Sequence, residues 1–242
     1  MADRQLVLVG ASGLAREVLS AVAGGREVVG AIDEDERLHG GLTGGLRVLG
    51  GLDSLTEHSD VSLVLCVGKG ASRRRLLQRL ASAGIGPDRF ATVVHPSVHV
   101  PTNCEIGRGS IVLAGSVITA DVKIGSHVVL MPNVTLTHDD VLEDFVTVAA
   151  GVQLGGDVLV ESEAYLGMGS CVRERLTVGR RATLGMGSVL LKDLPAGEVW
   201  GGVPAGRLGL AAASLAHTEP TDINRARSTT SLPGMGSRLG TS

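Results

Sequence analysis

Aromatic side chains are nearly absent: two phenylalanines, one tyrosine and one tryptophan in 242 residues. Rings are the usual large fillers of globular cores, yet 43% of the chain is hydrophobic. The interior must be filled by aliphatic side chains, which suits a narrow, repetitive core. Cysteine is scarce as well. Cys66, Cys104 and Cys171 stand far apart with no CxxC pair. That argues against a structural zinc site or a disulfide framework and fits a reducing, cytoplasmic setting. Charge of one sign is lacking: a net charge of -3 implies no basic face, so nucleic acid gains no support as a partner. No run of about 18 uninterrupted apolar residues exists, so no membrane span is expected. The opening MADRQLVLVG is too short and wrongly flanked for a signal peptide.

What the chain does have is glycine, 35 in all, and a repeat. From Val94 through Val100, Ile106 and Val112 to Leu184 and Leu190, every sixth residue is Val, Ile or Leu, seventeen in succession without a skipped register. Chance gives this on the order of once in a billion frames. Positions four further on are mostly small or aliphatic, as at Val122, Val128, Ala164 and Ser170. Glycine often follows the aliphatic position, as at Gly107, Gly125, Gly155, Gly167, Gly179 and Gly185. A coil with three flat sides of six residues explains the pattern. One aliphatic side chain points inward per side, a small residue tucks into each corner, and glycine, Asn or Asp tolerates the turn. Seventeen hexads make nearly six coils, each completed only by its neighbours. A helix would not lock to a period of six, and its propensities oppose this composition.

Residues 5–93 read differently. QLVLVG (5–10) is a buried strand ending in glycine, Gly10 to Gly13 a tight turn, and LAREVLSAVAG (14–24) a helix stopped by Gly24 and Gly25. EVVGAID (27–33) and VSLVLCVG (61–68) are further strands, ASRRRLLQRLASAG (71–84) a second helix, and FATVV (90–94) leads into the repeat. Strands alternating with helices predict a small parallel sheet of Rossmann-like winding. The turn opens a helix, so backbone N–H groups and the helix dipole face whatever binds there. Asp33 lies 20 residues after Gly13, where a Rossmann acid meets a ribose hydroxyl. The same residues also fit a plain tight turn followed by a solvated acidic cluster.

Among seven histidines, His138 stands out because Asp139 and Asp140 follow it. Asp140 holds a corner position that elsewhere takes a small or aliphatic residue, and a buried carboxylate needs a partner. An imidazole beside it would be one, and the pair would suit general acid–base work. Three-histidine zinc sites also occur on such coils, but His95 and His99 lie at the edge of the first coil and His138 has no mate, so no metal is expected. Cys104, at a corner position, reads as packing.

The GASG turn, the acidic strand end, VGKGASRRR (67–75), VVHPSV (93–98), the hexapeptide coils, the mid-coil His-Asp and the closing GGVPAGRL (201–208) together resemble the sialic-acid and bacillosamine-pathway sugar acetyltransferases, hexapeptide-repeat acyltransferases of NeuD/PglD type. The resemblance covers residues 5–210. It implies an α/β Rossmann-like domain over 1–92 and an all-β left-handed parallel β-helix over 93–208; beyond them a composition rich in Ser, Thr, Gly and Pro with few apolar anchors reads as a tail, largely disordered, over 209–242. It also implies a homotrimer with active sites between neighbouring β-helices, acetyl-CoA as co-substrate and a nucleotide-linked amino sugar as acceptor. His138 then matches the general base and Asp139 the acid that orients it. Ser12, Gly13 and Leu14 fall on the sugar-nucleotide turn, Asp33 and Glu34 on the acids that meet the nucleoside, and Gly68 and Lys69 on the loop after the third strand. Thr147, Met168 and Met186 fall on positions lining the acetyl-CoA groove, with Gly155 and Gly156 nearby. A backbone N–H of Gly155 or Gly156 would stabilise the oxyanion. Three features depart from the family pattern: Leu14 stands where a His is usual, Met131 where a polar residue is common, and Gly206 where a basic residue is usual. Acylation of a sugar hydroxyl, transfer of another acyl group, a non-catalytic trimeric scaffold and a nicotinamide-dependent enzyme are the competing readings.

Overall fold

The computed structural model describes residues 5–23 and 25–211. Gly24, His217 and all of the expected tail beyond Ala211 lie outside them. Five short strands form the first sheet: β1 (Leu6–Val9), β2 (Val28–Ile32), β3 (Leu42–Thr43), β4 (Leu46–Gly50) and β5 (Ser62–Leu65). Their order is β3-β4-β2-β1-β5. All pairings are parallel except β3 with β4. The sequence reading has no counterpart for the β3–β4 hairpin. Four glycines crowd that stretch and mimic a loop, but Gly44 and Gly45 both take positive φ (56° and 86°), as the tightest hairpin turn requires.

Two helices flank this sheet, α1 (Gly13–Ala21) and α2 (Gly70–Ser82). At nine residues α1 would be marginal alone, so its packing decides. Leu14, Ala15 and Val18 enter one buried cluster with Leu6, Leu8 and Val64 of the sheet and with Ile111 and Val129 of the coils. The helix is thus sandwiched between the sheet and the outer face of the first coils. Each fully buried aliphatic side chain there contributes about 1.5–3 kcal/mol. The opposite face of the sheet packs Val7, Val9, Leu63 and Leu65 against Leu80 of α2 and Phe90.

The repeat builds a three-sided prism of parallel sheets, one of eight strands and two of five. Pairing runs from each residue to the one eighteen further on, as Val129–Leu130 with Thr147–Val148 and Thr135 with Gln153. From Ile118 to Leu190 the inward aliphatic column is buried throughout. The glycines after that column have a different cause from the one expected. They do not take positive φ. Instead, a Cβ at Gly125, Gly155 or Gly167 would fall 2.7, 2.7 or 2.5 Å from a backbone nitrogen of the next coil. The left-handed backbone falls two residues later, at Asp121, His127, Asn133, Asp139, Phe145 and their successors, mostly types that tolerate it. The eight-stranded sheet ends in an antiparallel pair, Glu198–Gly201 with Gly206–Leu210. No helix among the described residues is long and apolar enough to cross a membrane.

Candidate active site

His138 sits at a prism edge, in the corner between strands Thr135–Leu136 and Val141–Leu142. Its Nδ1 lies 2.8 Å from Oδ2 of Asp139, and both side chains are exposed, 66% and 59%. Asp139 is the left-handed residue of its corner (φ 62°). With Nδ1–H donating to the carboxylate, Nε2 is left as the acceptor. The ring lies over Gly156: a Cβ there would be 2.7 Å from Nε2. Gly155 and Gly156 differ in what they can offer. The Gly155 N–H donates to the Val172 carbonyl at 3.0 Å, while the Gly156 N–H makes no hydrogen bond among the described residues. Of the two expected oxyanion donors, only Gly156 has an N–H to give.

Asp140 does not partner the imidazole. It is fully buried, and its carboxylate accepts from the backbone N–H groups of Thr137 (2.8 Å) and Val158 (3.0 Å). It thereby ties the coil of His138 to the next. Burial pushes its pKa up to about 6, against the pull of those N–H donors and of His138.

The second set of residues lies at the carboxyl ends of β1, β2 and β5, where open α/β sheets bind ligands. The Ser12 hydroxyl donates to the Cys66 carbonyl (2.7 Å), so it pins the turn to the loop after β5 and leaves the start of α1 without a side-chain cap. Asp33 accepts from the Ala11 N–H (2.7 Å) and the Asp35 N–H (2.9 Å), holding the same turn from the other side. Leu14, expected on the substrate turn, is buried in the α1 cluster, so only its backbone can face a ligand. Glu34 pairs with Arg79 of α2 beside a cavity of about 980 Å³ lined also by His39, Asp53 and Arg75. Gly68 and Lys69 are exposed.

The expected acetyl-CoA residues divide. Met168 and Met186, 61% and 80% exposed, follow strands of the eight-stranded sheet in successive coils, with open space beside Gly169 and Gly187. Their prism edge is not the edge of His138. Thr147 is buried. Its hydroxyl donates to the Gly68 carbonyl (2.8 Å) and accepts from Arg73 (3.0 Å), so it anchors the junction with the N-terminal sheet instead of presenting an oxygen to a groove.

That junction escaped the sequence reading. Arg73 is buried, His127 stacks on Phe145 (5.3 Å) and meets Phe90 edge-on (5.1 Å), and buried Glu163 bridges Arg74 of α2 (2.8 Å) and Arg181 (3.0 Å). Gly70, whose Cβ would strike the Phe145 carbonyl oxygen at 2.0 Å, was the one available signal. His95 serves a local turn, its Nδ1 meeting the Ser97 hydroxyl at 2.9 Å.

Comparisons with known proteins agree with this architecture. The PglD N-terminal domain family matches residues 5–80. A UDP-N-acetylbacillosamine N-acetyltransferase of Bacillus subtilis (strain 168) is 38% identical over 55 residues, 23% of this chain. The matched stretch spans 24% of that curated relative. A histidine-to-asparagine variant of perosamine N-acetyltransferase from Caulobacter crescentus, in complex with CoA and GDP-perosamine, is similar with a TM-score of 0.78 at 28% identity, over 85% of this chain and 97% of that one. The acetyltransferase domain of PglB from Neisseria gonorrhoeae FA1090, in complex with acetyl coenzyme A, is similar with a TM-score of 0.77 at 29% identity, over 86% and 100%.

Proposed function

We infer that this chain, by sequence and fold one of the PglD-like sugar acetyltransferases, transfers the acetyl group of acetyl-CoA to the amine of a nucleotide-linked amino sugar. The observation that carries this reading is the His138–Asp139 pair, with Nε2 open above Gly156. The amine nitrogen attacks the thioester carbonyl carbon, forming the C–N bond and an oxyanion. Nε2 of His138 takes the proton from nitrogen, and the Gly156 N–H donates to the oxyanion. Collapse breaks the C–S bond, and the imidazolium returns its proton to the departing thiolate. No covalent acyl-enzyme is needed.

The nucleotide is assigned to the carboxyl edge of the N-terminal sheet, with the N–H groups of Ser12 and Gly13 in the GASG turn facing its phosphates, since those of Gly10 and Ala11 are taken by Ile32 and Asp33, and with Glu34, Gly68 and Lys69 around it. Asp33 acts by holding that turn. Acetyl-CoA is assigned to the edge of Met168 and Met186. Because His138 occupies a different edge, a site using both draws on two chains, and a homotrimer supplies three such seams. The reaction belongs in the cytoplasm, where acetyl-CoA and nucleotide sugars are available.

Thiol release from acetyl-CoA against a panel of UDP-, dTDP- and GDP-linked amino sugars tests the assignment. One or more should be turned over, and His138→Ala should lower the rate roughly a hundredfold or more with folding intact. Turnover indifferent to position 138 would remove His138 as the base, and no turnover of any sugar would leave only a scaffold.

A further inference from the structure

Arg73 presents a buried charge that the mechanism above does not use. Its side chain, 1% exposed, meets no carboxylate. Every donor goes to a neutral oxygen. Nε–H donates to the His127 carbonyl (3.0 Å), Nη1 to the Val67 and Gly68 carbonyls (both 2.8 Å), and Nη2 to Phe145 O, Val146 O and Thr147 Oγ1 (all 3.0 Å). Burial depresses its pKa, countered only by the Cys66 thiol, which burial itself holds protonated. Stability does not explain this choice, since a well-packed apolar side chain avoids the cost of desolvating a charge.

The bonds themselves suggest what is gained. One end of the guanidinium grips Val67 and Gly68, in the loop after β5. The other grips three consecutive residues of a prism corner and strand, 145–147. Thr147 completes the ring with its own bond to Gly68. The next residues press directly on the coil, because a Cβ at Gly70 would overlap the Phe145 carbonyl. Through Cys66 the same loop holds Ser12 and hence the GASG turn. A continuous chain of hydrogen bonds therefore fixes the nucleotide-sugar edge relative to the coil. In acyl transfer the amine must sit about 3–3.5 Å from the thioester carbon, and a displacement of about 1 Å costs roughly a hundredfold in rate.

We propose that Arg73 and Thr147 are positioning residues for the acceptor, stapling the Val67–Lys69 loop to the β-helix so that the sugar amine reaches the thioester. This rests on the acyltransferase reading above. It also reassigns Thr147 from the acetyl-CoA groove to the sugar side, and the two roles separate experimentally. Thr147→Val keeps volume and strand preference while removing both hydroxyl bonds. It should lower kcat/KM for the nucleotide sugar about tenfold, leave KM for acetyl-CoA within about twofold, and speed amide exchange over 66–70 but not in the coil core. Thr147→Ser should restore kcat/KM for the sugar and the slow amide exchange, and Arg73→Lys should exceed Thr147→Val in the same direction. A rise in KM for acetyl-CoA, or an unchanged kcat/KM for the sugar, overturns the staple. If the wild-type protein acetylates no sugar in the panel, the acyltransferase reading has failed. Calorimetric titration with UDP and GDP then decides the staple alone: weaker binding by Thr147→Val supports it, and equal binding or none by either protein refutes it.

Discussion

An alanine at position 156 would place a methyl group 2.7 Å from Nε2 of His138, so the imidazole would have to swing away. Gly156→Ala should lower kcat by roughly ten- to a hundredfold. Left-handed strain at φ +91° is a confounding cost of about 1–2 kcal/mol, and Gly84→Ala controls for it. Gly84 has a φ of +82° and nothing within 4 Å of its missing Cβ. Equal loss in both variants, measured as kcat beside Tm, would reduce the effect to backbone strain. Two buried titratable groups make opposing demands on pH. His127 is held down to about 4, first by burial and then by the charge of Arg73. Free in the unfolded chain it titrates near 6.5, so its contribution to stability is whole above about pH 6.5 and is lost as pH falls toward 4. Asp140, pushed up to about 6 by burial, does the reverse. The unfolded chain releases that proton first, so stability is lost as pH rises from about 4 to 6. Each separation is worth about 3 kcal/mol, and between pH 4 and 6 they largely cancel. His127→Phe, which corner residue Phe145 shows to be compatible with this backbone, should expose the falling limb. Asp140→Asn should expose the rising one. Denaturant titrations across that range with parallel profiles for all three proteins would refute the pairing.

At the scale of elements, the contact between α2 and the coils should be the most sensitive joint. Glu163 is buried between Arg74 and Arg181, and Arg181 is mostly exposed. Glu163→Ala should therefore cost about 2 kcal/mol, below the usual range for breaking a fully buried pair, and lower Tm by about 4–8 °C. A Tm within about 1 °C of wild type would mean solvent already supports both arginines. This joint was also the least legible in the sequence. The coils could be read because a period of six repeats one physical requirement at every turn, so each residue repeats the same evidence. Arg73 occurs once, inside an RRR run that resembles any solvated helix face, and its six acceptors are mostly carbonyls, which no residue type encodes. Resemblance places Leu14 and Thr147 by position alone and says nothing of their contacts, the α1 cluster for Leu14 and Arg73 with Gly68 for Thr147. Only the resemblance points to Asp139 as the partner of His138; the residues alone point the imidazole at Asp140. The true partners of Asp140 are backbone N–H groups from two coils, which no residue type encodes.

The whole molecule raises the question of which surfaces complete a site. His138 lies on one edge of the prism and Met168 and Met186 on another. If each site spans two chains, inactive proteins can rescue one another. His138→Ala mixed with Met168→Asp/Met186→Asp, after unfolding and refolding together, should recover a fraction of wild-type thiol release. Each refolded alone should remain inactive. No recovery, from a mixture shown by mass to contain both chains, would put the site within one chain and remove the need for a trimer.

The antiparallel strand Gly206–Leu210 has a consequence for how far such a stack can grow. A column of parallel strands invites one more parallel strand at its open rim, from the same polypeptide or a stranger, and long unprotected rims are where proteins fibrillise. Reversing the last strand breaks the parallel register that a further coil would have to continue, so on the eight-stranded side the ladder of coils stops at Gly206–Leu210.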